Sequence, residues 1–184
     1  MLQSLDKIKK NKKVEKAILL MAEKGMDAMD ELYSLISSDV YAFALSKVGN
    51  PHDADDIMQD TFVQIYRYAK RYVPEGKPLA WVFTIITNLA NQRFRDNTKN
   101  DYLEDRVVEP ADEKDFSESF INNEFLKDLL NTLANDEKEI IVMHVVSGMK
   151  HREIADFTGQ PLSTVLSKYN RAMKKLQVRA KEVE

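Results

Sequence analysis

The stretch HREIADFTGQPLSTV, residues 151–165, has the spacing of a helix-turn-helix motif. Ala155 is small enough for two helices to approach, Gly159 suits a turn with positive φ, and Val165 can pack the second helix on the first. The second helix is predicted over residues 161–178, with a polar, cationic face that fits a DNA major groove. An ordinary helical hairpin with a solvated basic face is the alternative. This face carries Ser163, Ser167, Lys168, Asn170, Arg171, Lys174 and Lys175.

Helical periodicity is found along most of the chain of 184 residues, which predicts an all-α fold. Glycine and proline are rare, with five of each, and apolar residues recur every three or four positions. A polar, mostly acidic stretch interrupts this periodicity and is expected to be a flexible tether. We therefore predict two small helical domains joined by an acidic linker. The boundaries are a basic N-terminal extension at 1–13, a first domain at 14–96, the linker at 97–119 and a second domain at 120–184.

The helices of the first domain are predicted from caps and breakers. Asn50 is a plausible N-cap and Pro51 suits the first helical position, whereas the prolines and glycine of residues 71–78 indicate a loop. The basic N-terminal extension is read as a solvated tail with no assigned role. The expected helices cover residues 14–24, 27–48, 51–72 and 78–95.

Composition excludes several classes of protein. The absence of cysteine excludes disulfides and thiolate metal sites and fits a reducing compartment. No apolar run approaches the roughly 20 residues of a transmembrane helix, and the lysine-rich N-terminus does not resemble a signal peptide. We expect a soluble, cytoplasmic protein without direct membrane insertion. The formal net charge of −3 is unusual for a pure DNA-binding protein, so the charge has to be read by segment.

Two segments of opposite charge lie next to each other in the first domain. Residues 53–60 contain four aspartates and no lysine or arginine, whereas residues 64–95 contain six basic residues and one acidic residue, Glu75. Capping and the helix dipole explain Asp53 and Asp55 in a first turn, but they do not explain Asp60, two turns further on. The acidic segment suits a basic protein partner, and the basic segment suits phosphates.

The helix predicted over residues 78–95 has two distinct faces. An apolar face of Leu79, Val82, Phe83, Ile86, Leu89 and Ala90 would contact the core. The other face has an aromatic ring, amides and a cation, which is typical of proteins that hold unstacked bases. Alternatively, Trp81 is a core residue that anchors the preceding loop. This second face consists of Trp81, Thr84, Asn88, Gln92 and Arg95.

These motifs resemble the bacterial sigma-70 family of RNA polymerase sigma factors, in its extracytoplasmic-function (ECF) branch. Residues 53–62 resemble region 2.2 of that family, residues 78–90 resemble regions 2.3 and 2.4, and residues 133–176 resemble region 4. The resemblance implies a non-enzymatic subunit that needs no cofactor, binds core RNA polymerase and promoter DNA, and has an anti-sigma factor as a further partner. It implies binding of polymerase through Asp56, Gln59 and Asp60.

The resemblance also assigns the two DNA contacts. The melted −10 element would be held by the loop and helix after residue 70, and the −35 element would be read as duplex by the helix-turn-helix. The residues expected at the −10 element are Arg71, Tyr72, Lys77, Trp81, Asn88, Arg93 and Arg95. Those expected at the −35 element are Arg152, Ser163, Ser167, Lys168, Arg171 and Lys174.

Some positions depart from the family pattern, and two other classes of function stay open. Asp96 follows Arg95 where relatives continue with basic residues, and Leu166 stands where a basic residue is common.

A stand-alone helix-turn-helix regulator could use the first domain for dimerisation or sensing. An enzyme acting on phosphodiesters could use the aspartates and a histidine, but no convergent catalytic set is evident. His52 and Asp56 lack further ligands of suitable spacing, so no metal site is expected.

Overall fold

The computed structural model describes residues 2–100 and 131–183, and the chain divides into two compact units, residues 1–107 and 108–184. Within the described ranges, every regular element is helical. The all-α prediction and the division into two helical domains are therefore confirmed. Residues 101–119 of the predicted linker lie outside the described residues, and so do residues 120–130 at the predicted start of the second domain.

Over residues 2–100, the first unit contains four α-helices and two short 3-10 turns. The turns cover Gly25–Ala28 and Ala69–Arg71, where the chain leaves the first and third helices. The fourth helix is longer than predicted and continues to Asn100, beyond the expected end near Arg95. The α-helices are α1 Leu2–Lys24, α2 Met29–Val48, α3 Pro51–Tyr68 and α4 Pro78–Asn100.

The start of α3 is fixed by its own sequence. The Asn50 side-chain oxygen accepts a hydrogen bond from the Asp53 backbone N–H at 2.8 Å, and the Asn50 amide donates to the Asp53 carboxylate at 2.6 Å. Pro51 occupies the first helical position, where its missing N–H costs nothing. The predicted N-cap is confirmed.

The core of the first unit is built mainly from α2, α3 and α4. The rings of Phe43 on α2 and Phe83 on α4 are stacked, with centroids 4.2 Å apart. The predicted apolar face of α4 is buried, apart from Leu89, which is half-buried. Burial of a phenylalanine or isoleucine side chain contributes roughly 1.5–3 kcal/mol, so this seam is a main source of the unit's stability.

The prediction that residues 1–13 form a solvated extension is wrong for residues 2–13, because α1 begins at Leu2 rather than near Val14. Val14, Ala17 and Ile18 line a buried face of α1. Lys10, on the same side, places its Nζ 2.7 Å from the fully buried Asp39 carboxylate on α2. The lysine-rich segment is helical because this face docks on the bundle while other lysines remain in solvent.

The described part of the second unit, residues 131–183, contains three α-helices around a small core. The helices are α5 Asn135–Ile141, which continues as a π-helical turn over Val142–Val146, α6 His151–Thr158 and α7 Leu162–Val183. Leu133, Ile141 and Ala172 are buried together, and Tyr169, Met173 and Leu176 pack against them.

The helix-turn-helix prediction is confirmed for α6 and α7. Ala155 and Val165 are buried, and Gly159 has φ +66° at the end of α6, a conformation that other L-residues rarely adopt. The Lys150 backbone N–H donates to the Glu153 carboxylate at 2.7 Å, which satisfies one of the free donors at the start of α6. Among the described helices, none has the length and apolarity needed to cross a bilayer.

Candidate nucleic-acid interface

A polar stripe on α3 carries the residues predicted to contact polymerase. Gln59 and Asp60 are exposed and Asp56 is partly exposed, whereas Met58 and Phe62 on the opposite face are buried. We refer to Asp56, Gln59 and Asp60 as the acidic patch. The alternation of faces predicted from helical spacing is present, so the patch is available to a partner.

The acidic patch is tied to α4 by Arg93. Its guanidinium lies 2.5 Å from the Asp53 carboxylate and 2.8 Å from the Asp56 carboxylate. Arg93 therefore lies with the acidic patch, although the sequence placed it among the DNA contacts. His52, Asp53 and Asp56 could bring ligand atoms within 4.8 Å of one another, but the Arg93 guanidinium already pairs with both carboxylates and leaves the group with one net negative charge. The cation of this cluster is therefore the Arg93 side chain.

Asp55 belongs to a different environment from the acidic patch. Burial, together with the neighbouring charge of Asp56, raises the pKa of the Asp55 carboxyl above its ordinary value. Burial and the charge of Asp55 also raise the pKa of Tyr41 on α2 to about 12. Asp55 therefore acts electrostatically on Tyr41 of α2. This agrees with the sequence analysis, which did not group Asp55 with Asp60.

The loop of residues 72–77, which we call the capture loop, lies between α3 and α4 and is held by side chains. Tyr72 is buried, and its ring packs against Trp81 with centroids 4.9 Å apart and an interplanar angle of 58°. Its hydroxyl donates to Glu15 Oε1 at 2.9 Å. Burial and this hydrogen bond raise the pKa of Tyr72 well above its ordinary value. The tyrosine thus holds the capture loop on α1 and packs against the ring of Trp81.

The exposed side of the capture loop and α4 matches the predicted base-holding face. Trp81 is half-buried against Tyr72, while Asn88 and Arg95 are exposed further along α4. Both alternatives for Trp81 are compatible with the structure, because the residue packs against Tyr72 and is only half-buried. Arg71 is exposed over the ring of Tyr68, with its Cζ 6.0 Å from the centroid, and Lys77 is exposed.

In the second unit, α7 presents two polar stripes. The outer stripe is exposed and mostly uncharged, and Arg152 on α6 is exposed as well. This stripe contains both serines predicted at the −35 element and one of its predicted cations. We define it as the recognition stripe, consisting of Ser163, Leu166, Ser167, Asn170 and Lys174.

The second stripe of α7 is paired with two acidic residues at the start of α5. Lys168 Nζ lies 2.6 Å from the Asp136 carboxylate, and the Arg171 and Lys175 nitrogens each lie 2.7 Å from the Glu137 carboxylate. Glu137 is only 2% exposed. Lys168 and Arg171, both predicted to contact DNA, are thus held by acids in the free chain.

The pKa directions agree with these ion pairs. The hydrogen bond from Lys168 lowers the pKa of Asp136 below its ordinary value. Burial pushes the pKa of Glu137 upward, but the hydrogen bonds from Lys175, the Ala134 backbone N–H and Arg171 outweigh it, so the pKa lies below its ordinary value. Both acids are therefore charged at neutral pH and hold α7 on α5.

Sequence reasoning missed the residues that hold these surfaces in place. Glu15 and Asn11 on α1 contact the capture loop, and Asp136 and Glu137 contact α7. Glu15 carried a signal, because it is the one acidic residue among six lysines in residues 7–22. Asp136 and Glu137 resembled ordinary first-turn acids, and nothing in their spacing indicated that Glu137 is buried.

Comparison with known families identifies the class of protein. Residues 32–100 match the family described as Sigma-70 region 2, and residues 126–176 match Sigma-70, region 4. The two matches fall on the unit with the acidic patch and the unit with the helix-turn-helix, in the order that the sequence predicted. The chain belongs to the sigma-70 family of RNA polymerase sigma factors, in its ECF branch. The stand-alone regulator alternative is therefore not favoured.

Individual relatives agree with the branch. The chain is 28% identical over 160 residues to the ECF RNA polymerase sigma factor SigE of Mycolicibacterium smegmatis, covering 83% of this chain and 62% of SigE. It is 26% identical to EcfG of Rhodopseudomonas palustris, covering 80% of this chain and 81% of EcfG. It is 22% identical to SigW of Bacillus subtilis, covering 92% and 98% of the two chains.

Solved structures show the same fold. The sigma factor RpoE of Bartonella quintana, in complex with the anti-sigma factor NepR, superposes with a TM-score of 0.63 at 25% identity, covering 83% of this chain and 96% of RpoE. CnrH, in complex with the cytosolic domain of CnrY, superposes with a TM-score of 0.63 at 22% identity, covering 93% of this chain and 99% of CnrH.

Proposed function

We propose that this chain binds core RNA polymerase and directs promoter-specific initiation, reading the −35 element as duplex and the −10 element as melted DNA. The observation that carries the proposal is the presence of both sigma-70 regions, in order, on one chain. Such a subunit works in the cytoplasm, where polymerase and promoter DNA are found. It contributes binding energy and catalyses no reaction itself.

Polymerase binding is assigned to the acidic patch. Gln59 and Asp60 offer an exposed amide and carboxylate, and Arg93 fixes the orientation of Asp56. A fixed carboxylate loses less conformational entropy on binding than a mobile one, so Arg93 contributes to this contact by positioning. We assign Arg93 to polymerase binding in this indirect sense, and not to the −10 DNA.

Capture of the melted −10 strand is assigned to the capture loop and the exposed side of α4. Stacking of one base on Trp81 contributes about 1–3 kcal/mol, which offsets the few kcal/mol needed to flip a base out of the duplex. Asn88 can hydrogen-bond a base edge, and Arg71, Lys77 and Arg95 can contact phosphates. Tyr72 acts by supporting Trp81, since its ring and hydroxyl are buried.

Recognition of the −35 duplex is assigned to the recognition stripe and Arg152. Ser163 and Ser167 can contact base edges, while Arg152 and Lys174 are exposed and suited to phosphates. In the free chain Lys168 is held by Asp136 and the Arg171 Nε by Glu137, so their charges are partly compensated before DNA binds. Their net contribution to DNA affinity is accordingly smaller than that of Lys174.

An anti-sigma factor is a further proposed partner. The superposable RpoE of Bartonella quintana is in complex with the anti-sigma factor NepR. The same fold, with an exposed acidic patch and an exposed recognition stripe, offers surfaces that an inhibitor of this class could cover. Such a partner would compete with polymerase or DNA for those surfaces.

The proposal is tested by co-elution of the purified chain with core polymerase, followed by transcription on genomic fragments. Asp60→Lys is the informative variant, since Asp60 is exposed and its reversal leaves the Arg93 ion pairs intact. Glu23→Lys, which reverses an exposed charge on α1, is the matched control. We expect Asp60→Lys to lose co-elution and the control to retain it, with both variants helical by circular dichroism. Normal co-elution of Asp60→Lys would remove the acidic patch from the polymerase contact.

A further inference from the structure

The first helix reaches the capture loop through two side chains. Glu15 Oε1 accepts two hydrogen bonds, from the Tyr72 hydroxyl at 2.9 Å and from the Gly76 backbone N–H at 2.8 Å. Asn11, one helical turn earlier, donates to the Gly76 carbonyl at 3.3 Å. One carboxylate oxygen of α1 therefore joins the first residue of the capture loop, Tyr72, to Gly76 near its end, four positions further on.

The capture loop needs such an external partner. Pro74 within the loop and Pro78 directly after it donate no backbone hydrogen bonds, and Gly76 has φ +72°. Hydrogen bonds to a charged acceptor are stronger than those to a neutral one. The contact with Glu15 thus fixes the backbone at Gly76 and, through Tyr72, the ring of Trp81.

We propose that Glu15 is a positioning residue for capture of the melted −10 strand, an inference that rests on the proposed function. Glu15 holds the capture loop in its binding conformation before DNA arrives. Without it, the loop would have to be ordered during binding, and part of the stacking energy on Trp81 would be consumed by that ordering. The role of α1 is then to pre-form the single-strand site, and the lysine-rich segment is the start of the helix that carries it.

Three substitutions separate this role from general stability. Glu15→Ala removes the acceptor, Glu15→Gln keeps an oxygen in the same place, and Glu23→Ala removes an exposed carboxylate from the same helix as a control. Because Glu15→Ala loses the acceptor that holds the capture loop, we expect this variant to need about tenfold more holoenzyme for half-maximal promoter opening, which corresponds to about 1.4 kcal/mol. Glu15→Gln should recover most of this loss, and Glu23→Ala should behave as the unaltered chain.

Two measurements test the proposal. Promoter opening is followed by permanganate reactivity of −10 thymines with holoenzyme assembled from core polymerase and each variant, with co-elution measured in parallel. Amide hydrogen exchange at Gly76 is followed by NMR in the free chain, and it should accelerate in Glu15→Ala. Faster exchange, weaker opening and unchanged co-elution would support the positioning role.

The possible failures are distinct. If the unaltered holoenzyme opens no promoter, the proposed function fails and the inference fails with it. If the unaltered holoenzyme opens DNA and Glu15→Ala opens it equally well, the positioning role alone is overturned. Unchanged exchange at Gly76 in Glu15→Ala would also overturn it, since the loop would then be ordered without the carboxylate.

Discussion

Replacement of Glu137 by alanine should destabilise the second unit strongly. Glu137 is buried and accepts from Arg171, Lys175 and the Ala134 backbone N–H, at 2.7, 2.7 and 3.1 Å. Loss of the contact at the helix start costs about 1 kcal/mol. Each cation is about half-exposed, so its pair contributes only about 0.5–1 kcal/mol after solvent screening. We expect a loss of about 2–3 kcal/mol, which lowers the Tm of a small domain by roughly 10–20 °C.

The pH dependence of this loss follows from the direction of the pKa shift. The pKa of Glu137 in the folded chain lies below its ordinary value of 4.5. Its stabilisation is therefore fully present above that value and is lost as the pH falls through the folded pKa. The difference in stability between the unaltered chain and Glu137→Ala should be largest near neutral pH and should shrink below about pH 4.5.

Unfolding of the second unit can be followed separately by NMR. The ring signals of His144 and His151 report on the second unit, and those of His52 report on the first. Glu137→Gln should lie between the unaltered chain and Glu137→Ala, because its amide oxygen can keep part of the contact. Glu182→Ala, which removes an exposed partner of Arg179, is the control and should change stability by less than about 0.5 kcal/mol. A Tm of Glu137→Ala within 2 °C of the control would refute the reasoning.

Two further predictions concern the contacts with polymerase and DNA. Arg93→Ala should weaken co-elution with core polymerase, because the Asp53 and Asp56 carboxylates lose their shared cation; undiminished co-elution in a folded variant would contradict the positioning role of Arg93. Lys174→Ala should weaken binding of −35 duplex by a similar factor for all sequences and reduce the salt slope of the affinity by about 0.9, measured by fluorescence anisotropy at several salt concentrations. An unchanged slope would show that Lys174 contacts no phosphate.

The local features of this fold were predictable from sequence where a single element determines them. The Asn50 cap, the positive φ of Gly159 and the buried side of Val165 each depend on residues within a few positions. The start of α1 was not predictable in this way. Its lysines indicated a solvated tail, whereas tertiary contacts stabilise the early helix, with Lys10 paired to Asp39 on α2 and Asn11 bonded to the capture loop.

The sequence could not predict which side chains of the candidate site form ion pairs with residues on other helices. Lys168 and Arg171 were grouped with the DNA contacts because they share a helix with Ser163, but the relative placement of α5 and α7 pairs them with acids. Arg93 was grouped with Trp81 for the same reason and pairs with α3 instead. Helical spacing fixes the face on which a charge lies, whereas its partner depends on tertiary packing.

The ion pairs of Arg93 have a consequence for cooperativity. They join α3, which carries the acidic patch, to α4, the helix that also carries Trp81. Thermodynamic linkage is reciprocal, so any factor by which polymerase tightens the hold on melted DNA is also the factor by which melted DNA tightens the hold on polymerase. We therefore expect release of the promoter and release of the polymerase to be coupled, with Arg93 as the ionic link between the two helices through which that coupling can be adjusted.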